Sequence, residues 1–197
     1  MFCSSLRNLG YALRSQVLDA VDFGVPQTRR RLFLLCDREA EPASVAPKRL
    51  RAPRPASSVV RLDAPWPSQP LYKLGRAEAT IARAERAIDD LGKGEPFLIV
   101  YYGSDGAGGW QPLDRPLRTM TTLDRFGLVT WQGRTPMLRM LQVDELKRAM
   151  GFPGWFKFSS GSRREKIMML GNAVCPPVMN AIVSSLCFSA GRSRAAA

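Results

Sequence analysis

"DFGVPQTRRRLFLL", residues 22–35, sets Arg29, Arg30 and Arg31 against a block of apolar residues. A guanidinium buried without a partner is expensive. Either these arginines escape to solvent or an anionic or polar group waits for them. On a strand, Arg29 and Arg31 share one face and Arg30 takes the other. Upstream, "FCSSLRNLGYAL" places Phe2, Leu6, Leu9 and Leu13 on one helical stripe, with Gly10 as its stop. "RSQVLDAVD" has strand character, "FGVPQ" is a Gly/Pro connection, and "RRRLFLLC" is a second strand. Residues 1–36 therefore read as helix, strand, turn, strand.

Beyond this unit the composition shifts. Residues 37–70 hold seven prolines and little periodicity, the mark of a linker or an extended surface path. Its Lys48, Arg49, Arg51 and Arg54 suit DNA phosphates and equally suit a solvated basic loop. "RAEATIARAERAIDDLGKG" spaces Ile81, Ala84, Ile88 and Leu91 as a helix with Gly92 past its end. "FLIVYY" (97–102) reads as a buried strand, followed by the loop "GSDGAGGW", which lacks the Lys-Ser/Thr of a phosphate-cradling loop and the spacing of a dinucleotide fingerprint. "RPLRTMTTLDRFGLVTWQ" (115–132) reads as β-rich. "DELKRAMGFP" is a short helix ended by Gly151, and "GNAVCPPVMNAIVSSLCF" is a tight turn entering an apolar helix through prolines.

The bulk properties narrow the function. The chain has 197 residues, 45% of them hydrophobic, enough for one ordinary domain or two small ones with a core. Twenty-nine Lys and Arg against seventeen Asp and Glu leave +12, with a pI near 10.3. Such a surplus favours polyanions, because each phosphate contact releases condensed counterions. There is no histidine, so Ser-His and Cys-His nucleophiles and histidine-bearing metal sites are excluded within this chain. Cys3, Cys36, Cys175 and Cys187 show no CxxC spacing and fit free thiols in a reducing cytoplasm. No run of about 18 apolar residues is present to span a membrane. The first residues lack the apolar core of a signal peptide.

Three segments, in order, resemble the DNA cytosine-5 methyltransferase family. "DFGVPQTRRRLFLL" is similar to its eighth block, Gln-x-Arg-x-Arg after a Gly-Val/Ile-Pro turn. "RMLQVDELKRAMGFP" is similar to the ninth, and "LGNAVCPPV" to the tenth, Gly-Asn-Ala/Ser-Val before a helix. The resemblance runs from about residue 5 to 188, with a variable β-rich stretch between the eighth and ninth blocks. It implies an α/β fold: an incomplete S-adenosylmethionine-dependent methyltransferase core plus a small β-rich target-recognition domain. Residues 1–40 and 138–197 are expected to form the far edge of the core, and 41–137 the linker and recognition domain.

The resemblance also implies roles. Gln27, Arg29 and Arg31 line the active cleft, Arg31 on the carbonyl edge of an extruded cytosine and Arg29 in support, while Arg30 reaches solvent. Asn172 and Ala173 border the S-adenosylmethionine pocket, at what reads as a helix start with free N–H groups. Arg139 and Glu145 organise the hinge between recognition domain and core, and Gln142-Val143, in place of the usual Thr-x, deprives the ninth-block helix of a good N-cap. Arg118, Thr119, Thr121 and Thr122 are assigned to DNA backbone or base edges; strand-forming threonines account for the same letters.

The family's Phe-x-Gly-x-Gly loop, its Pro-Cys nucleophile and its Glu-Asn-Val motif do not occur in this sequence. Cys175 precedes a proline and reads as a packed thiol. In the family, the cysteine thiolate adds to the ring carbon beside carbon 5 and a glutamic acid holds the ring nitrogen. The resulting enamine then attacks the methyl sulfonium, on a base first extruded from the duplex. The expectation is therefore a cytoplasmic, double-stranded-DNA-binding chain of the restriction-modification type, inactive alone. A second chain would carry the glycine loop and nucleophile. The rivals are a non-catalytic sequence-selective DNA-binding module and a truncated relic.

Overall fold

Two short strands, ALRSQVLD and RRLFLLCD, on either side of a Gly-Val-Pro turn build a hairpin. In the computed structural model, which describes residues 2–47, 52–102, 106 and 108–195 with side chains to 187, helix α1 (Phe2–Asn8) leads into strand β1 (Ala12–Asp19). Strand β2 (Arg30–Asp37) pairs with β1 antiparallel, from Ala12 opposite Asp37 to Asp19 opposite Arg30. The connection begins as a 3-10 turn, Ala20–Phe23, and Asp19 fastens both its ends by accepting from the N–H of Val21 at 3.4 Å and of Arg29 at 2.8 Å. Leu13 lies in β1, not on the helical stripe, because α1 ends at Asn8, ahead of Gly10. No residue of α1 is buried. Leu18 and Leu35 point into the core, whereas the paired residues Val17 and Leu32 are 53% and 69% exposed.

The second sheet orders its strands β3-β7-β6-β4-β5, all antiparallel: β3 (Gln69–Pro70), β4 (Phe97–Val100), β5 (Trp110–Pro112), β6 (Phe126–Gln132) and β7 (Thr135–Met140). Strand periodicity divides its side chains between two faces. Phe97, Ile99, Val129 and Leu138 pack with Leu71, Ala84 and Ala87 under helix α2 (Glu78–Leu91). Leu98, Val100, Phe126 and Leu128 join a larger cluster with Leu18, Val25, Leu35, Met150, Ile167 and Val178. Both faces are covered, which is why "FLIV" is apolar throughout. The sheet continues to Met140, beyond the expected break at 137, and the larger cluster runs across that break without interruption.

Two expectations are corrected. Residues 115–125 are not strand: they cross the molecule irregularly, touching the hairpin connection through an isolated parallel bridge between Gln27 and Leu117. The proline-rich stretch is no loose linker: Ala56, Val59 and Val60 are buried, and the N–H groups of Ala56 and Ser57 donate to the carbonyls of Arg115 and Leu113. Lys48, Arg49 and Arg51 lie outside the described residues, as does part of the "GSDGAGGW" loop.

Helices α3 (Val143–Ala149), α4 (Arg163–Asn172) and α5 (Pro176–Ala195) close the larger core. Gly151, at φ 77°, turns the chain out of α3. The run Arg163–Cys187 is long and apolar enough by composition to cross a membrane, contrary to the sequence expectation. It is nevertheless broken at Ala173, whose ψ is 154°, and Ile167, Leu170, Cys175, Val178 and Ile182 bury one side of it against the hairpin and sheet.

Candidate active cleft and its supports

Arg29 sits just before β2, 5% exposed, with its guanidinium hydrogen-bonded to main-chain carbonyls. Nη1 donates to Met120 O at 2.8 Å, and Nη2 donates to Gly171 O at 2.6 Å and Ala173 O at 3.2 Å. Burial, with the like charge of Arg31 beside it, lowers its pKa from the ordinary value. The partner that an arginine entering a core strand demands is thus a set of carbonyls from two distant segments.

Gln27 is wholly buried. Its Oε1 accepts from Met120 N–H at 3.2 Å, and its Nε2 donates to Ala149 O at 3.4 Å and approaches Met150 Sδ at 3.5 Å. Zero exposure takes its side chain out of any cleft wall, contrary to the expectation from sequence. Both polar groups of Met120 are therefore held, the carbonyl by Arg29 and the N–H by Gln27.

Arg31 behaves differently. It is exposed, and its Nη1 donates locally, to Arg30 O at 2.7 Å. Arg29 and Arg31 both line a cavity of about 180 Å³, together with Leu18, Leu32, Asn172, Ala173, Val174 and Cys175. The structure thereby brings together four of the site residues expected from sequence. Cys175 is buried against Met150, and desolvation pushes its thiol up to about 11 despite the two arginines. A thiol held protonated at neutral pH is no nucleophile.

Asn172 and Ala173 end a helix and do not begin one. Asn172 is the last residue of α4, so this turn presents carbonyls, which Arg29 takes up. The following helix opens with Pro176 and Pro177, neither of which has an N–H to offer. Gly171 allows the close approach: a Cβ there would lie 2.3 Å from Thr121 O. Helix α4 itself escaped the sequence reading, although Ser162 and Glu165 form the S-x-x-E signature of a capping box before it.

The segment 118–122 is fastened at nearly every residue. Arg118 Nη2 donates to Trp110 O at 2.9 Å, and its N–H donates to Gln111 Oε1 at 3.1 Å. Thr119 Oγ1 donates to Thr28 O at 2.8 Å, and Thr119 O accepts from the Tyr102 hydroxyl. Thr121 Oγ1 accepts from Leu123 N–H at 3.3 Å, and Thr122 is half-buried.

Arg139 and Glu145 form a buried bidentate ion pair at 2.7 and 2.8 Å. Glu145 also accepts from the N–H groups of Arg61 at 2.8 Å and Gln142 at 2.7 Å, while Arg139 Nη2 donates to Arg61 O at 2.7 Å. The pair joins the end of β7, the start of α3 and the segment at Arg61. The carboxylate of Glu145, reaching back to Gln142 N–H, compensates the helix for its missing threonine cap.

A mixed α/β chain with two arginines lining one cavity and the 118–122 segment tied down beside it is placed by comparison with known proteins. Residues 1–187 match the model of the C-5 cytosine-specific DNA methylase family, and the chain belongs to that family. It is similar to the Type II methyltransferase M.AplI of Arthrospira platensis (strain NIES-39 / UTEX 3086 / IAM M-135), at 29% identity over 198 residues, covering 93% of this chain and 50% of that protein. Its fold is similar to the Entamoeba histolytica methyltransferase EhMeth (TM-score 0.56, 13% identity) and the S. pombe Dnmt2 methyltransferase (TM-score 0.56, 16% identity). Each alignment covers 93% of this chain, and respectively 56% and 58% of the neighbour. The chain thus spans about half the length of the relatives it matches.

Proposed function

We propose that this chain supplies one wall of the catalytic cleft of a DNA (cytosine-5-)-methyltransferase. A separate N-terminal part would contribute the nucleophilic thiolate and the acid. The observation that carries this reading is the cavity where Arg31 meets the Asn172-Ala173 turn. At about 180 Å³ it falls short of the roughly 300–1,000 Å³ of small-molecule clefts. Leu32, largely exposed, and Val174 stand in its lining, an apolar rim suited to being covered by more protein.

Arg31 donates to the carbonyl oxygen of the extruded cytosine, being the cleft arginine that no distant carbonyl holds. Arg29 supports it by fixing the cleft floor and adding positive charge. Gln27 acts from beneath, by holding Met120. Asn172 and Ala173 border S-adenosylmethionine, which supplies an electrophilic methyl group when bound. Arg118, Thr119, Thr121 and Thr122 lie against duplex DNA, their shape fixed by the bonds to Trp110 and Thr28. The domains divide as residues 1–40, 41–137 and 138–197, with strand β7 (Thr135–Met140) carrying the recognition sheet across the second boundary into the core, and the place of action is the cytoplasm.

The test mixes this chain with a polypeptide bearing the Phe-x-Gly-x-Gly loop and Pro-Cys motif, labelled S-adenosylmethionine and duplex DNA. Methyl transfer that needs both chains supports the reading; transfer by this chain alone overturns it. A non-catalytic DNA-binding module is the second reading, favoured by the separate apolar cluster beneath α2. It predicts sequence-selective binding with no methyl transfer in either mixture.

A further inference from the structure

A second basic surface lies away from the cleft. Trp66, Asp144, Lys147, Lys157, Arg163 and Lys166 line a groove of about 590 Å³ beside the first turns of α3 and α4. Four of these side chains are cations and one is a carboxylate. Two of the cations are already engaged within the fold. Lys147 Nζ pairs with Asp144 Oδ1 at 3.1 Å and donates to Phe156 O at 2.8 Å; Arg163 Nη2 pairs with Asp124 Oδ2 at 2.7 Å. Among the described residues, Lys157 and Lys166 form no ion pair, so they leave the groove with net positive charge. Glu165, the acid nearest in sequence, is held by the Ser162 N–H and hydroxyl at 2.7 and 2.8 Å.

Trp66 and Phe158 stand in the lining beside this charge. The guanidinium of Arg139 lies 4.8 Å from the centre of the Trp66 ring and that of Arg61 lies 5.7 Å away, which fixes one wall. Trp155, two residues before Lys157, is 79% exposed. Lysines without an ion-pair partner on the wall of an open groove suit the phosphates of a duplex, since each such contact releases condensed counterions. Helix α4 runs ten residues, about 15 Å, from this groove to the Asn172 turn at the cleft. That separation is shorter than one turn of duplex DNA, about 34 Å.

We propose that this groove binds the phosphate backbone of double-stranded DNA beside the cleft, with Lys157 and Lys166 as the contacting cations. The inference rests on the reading that this chain engages DNA and adds a contact outside residues 118–122. It is tested by fluorescence anisotropy of the full chain on labelled duplexes of several sequences across a salt series. The variants are Lys157→Gln/Lys166→Gln, the charge-keeping Lys157→Arg/Lys166→Arg, and Lys73→Gln/Lys93→Gln elsewhere on the surface.

The glutamine pair at the groove is expected to lower the log–log salt slope by about 2, one per lysine. It should also weaken binding roughly 10- to 30-fold near physiological salt, equally on every sequence. The arginine pair should retain both slope and affinity. Equal slopes for the groove and control glutamine variants, with wild-type binding intact, overturn the groove alone. Failure of the unaltered chain to bind any duplex overturns the DNA reading and the groove with it.

Discussion

Arg29 Nη2 donates at 2.6 Å to the carbonyl oxygen of Gly171, 142 residues further along the chain. The same guanidinium holds Met120 O at 2.8 Å through Nη1. One side chain therefore ties the hairpin, the 118–122 segment and the end of α4.

Arg29→Lys keeps the charge and loses the fork. A lysine ammonium is a compact point charge and cannot match donors fixed in a plane to carbonyls on two segments. A loss of about 1.5–3 kcal/mol is expected, the range for hydrogen bonds from a charged donor. Urea unfolding measures it as a lower midpoint at an unchanged slope. A midpoint equal to wild type would show that the tie contributes nothing.

Gly171→Ala places a Cβ 2.3 Å from Thr121 O and 2.5 Å from the carbonyl carbon, both main-chain atoms. Neither can rotate away, so overpacking should cost at least 1–3 kcal/mol. Hydrogen exchange should report the damage locally, as faster exchange of the Met120 N–H that Gln27 holds. Unchanged protection there would mean that the segment gives way elsewhere.

Arg139→Ala leaves the carboxylate of Glu145, which has no exposed surface, without its cation. A destabilisation of about 3–5 kcal/mol is expected, whereas Arg139→Met/Glu145→Leu, which removes both charges, should lose much less. Thermal unfolding of the two variants decides the matter. Equal losses would indicate that packing, not charge, is what the pair supplies.

Cys175 carries an alkaline signature. Its folded-state pKa of about 11 lies above the ordinary thiol value, so the unfolded chain releases that proton first. Its contribution is intact below about pH 8.5 and is lost as pH rises towards 11, on the order of 2–3 kcal/mol in all. Cys175→Ala should therefore lose less stability than wild type between pH 8 and 11. At pH 7.5 an alkylating reagent should label Cys3 and Cys187, both exposed, well before Cys175.

The hairpin was legible because its pattern is local: two short strand-forming runs, a Gly-Val-Pro turn and a short pairing distance. Helix α2 and the all-buried β4 were legible for the same reason. Residues 115–125 misled because threonines favour strands and a true strand follows at once, yet backbone groups here are captured by Gln27, Arg29 and Thr28, nearly a hundred residues away. Nothing in the letters around Gln27 indicates that its amide is wholly enclosed. A cofactor role for Asn172 and Ala173 was suggested by resemblance alone, and the helix polarity there was reversed because α4 went unread. The groove at Lys157 and Lys166 was invisible, since its lining comes from four separate stretches of chain.

The span between Arg29 and Gly171 also sets an order of events during synthesis. At about 5–20 residues per second, the acceptors at Gly171 and Ala173 leave the ribosome roughly 7–28 s after Arg29 does. Until then the guanidinium has only water for company on that side, and the hairpin can close on itself but has nowhere to settle. Its docking belongs to the last stage of folding, when the chain's C-terminal helices arrive. A nascent chain halted before residue 171 should therefore present an unanchored hairpin to the proteases and chaperones of the cell.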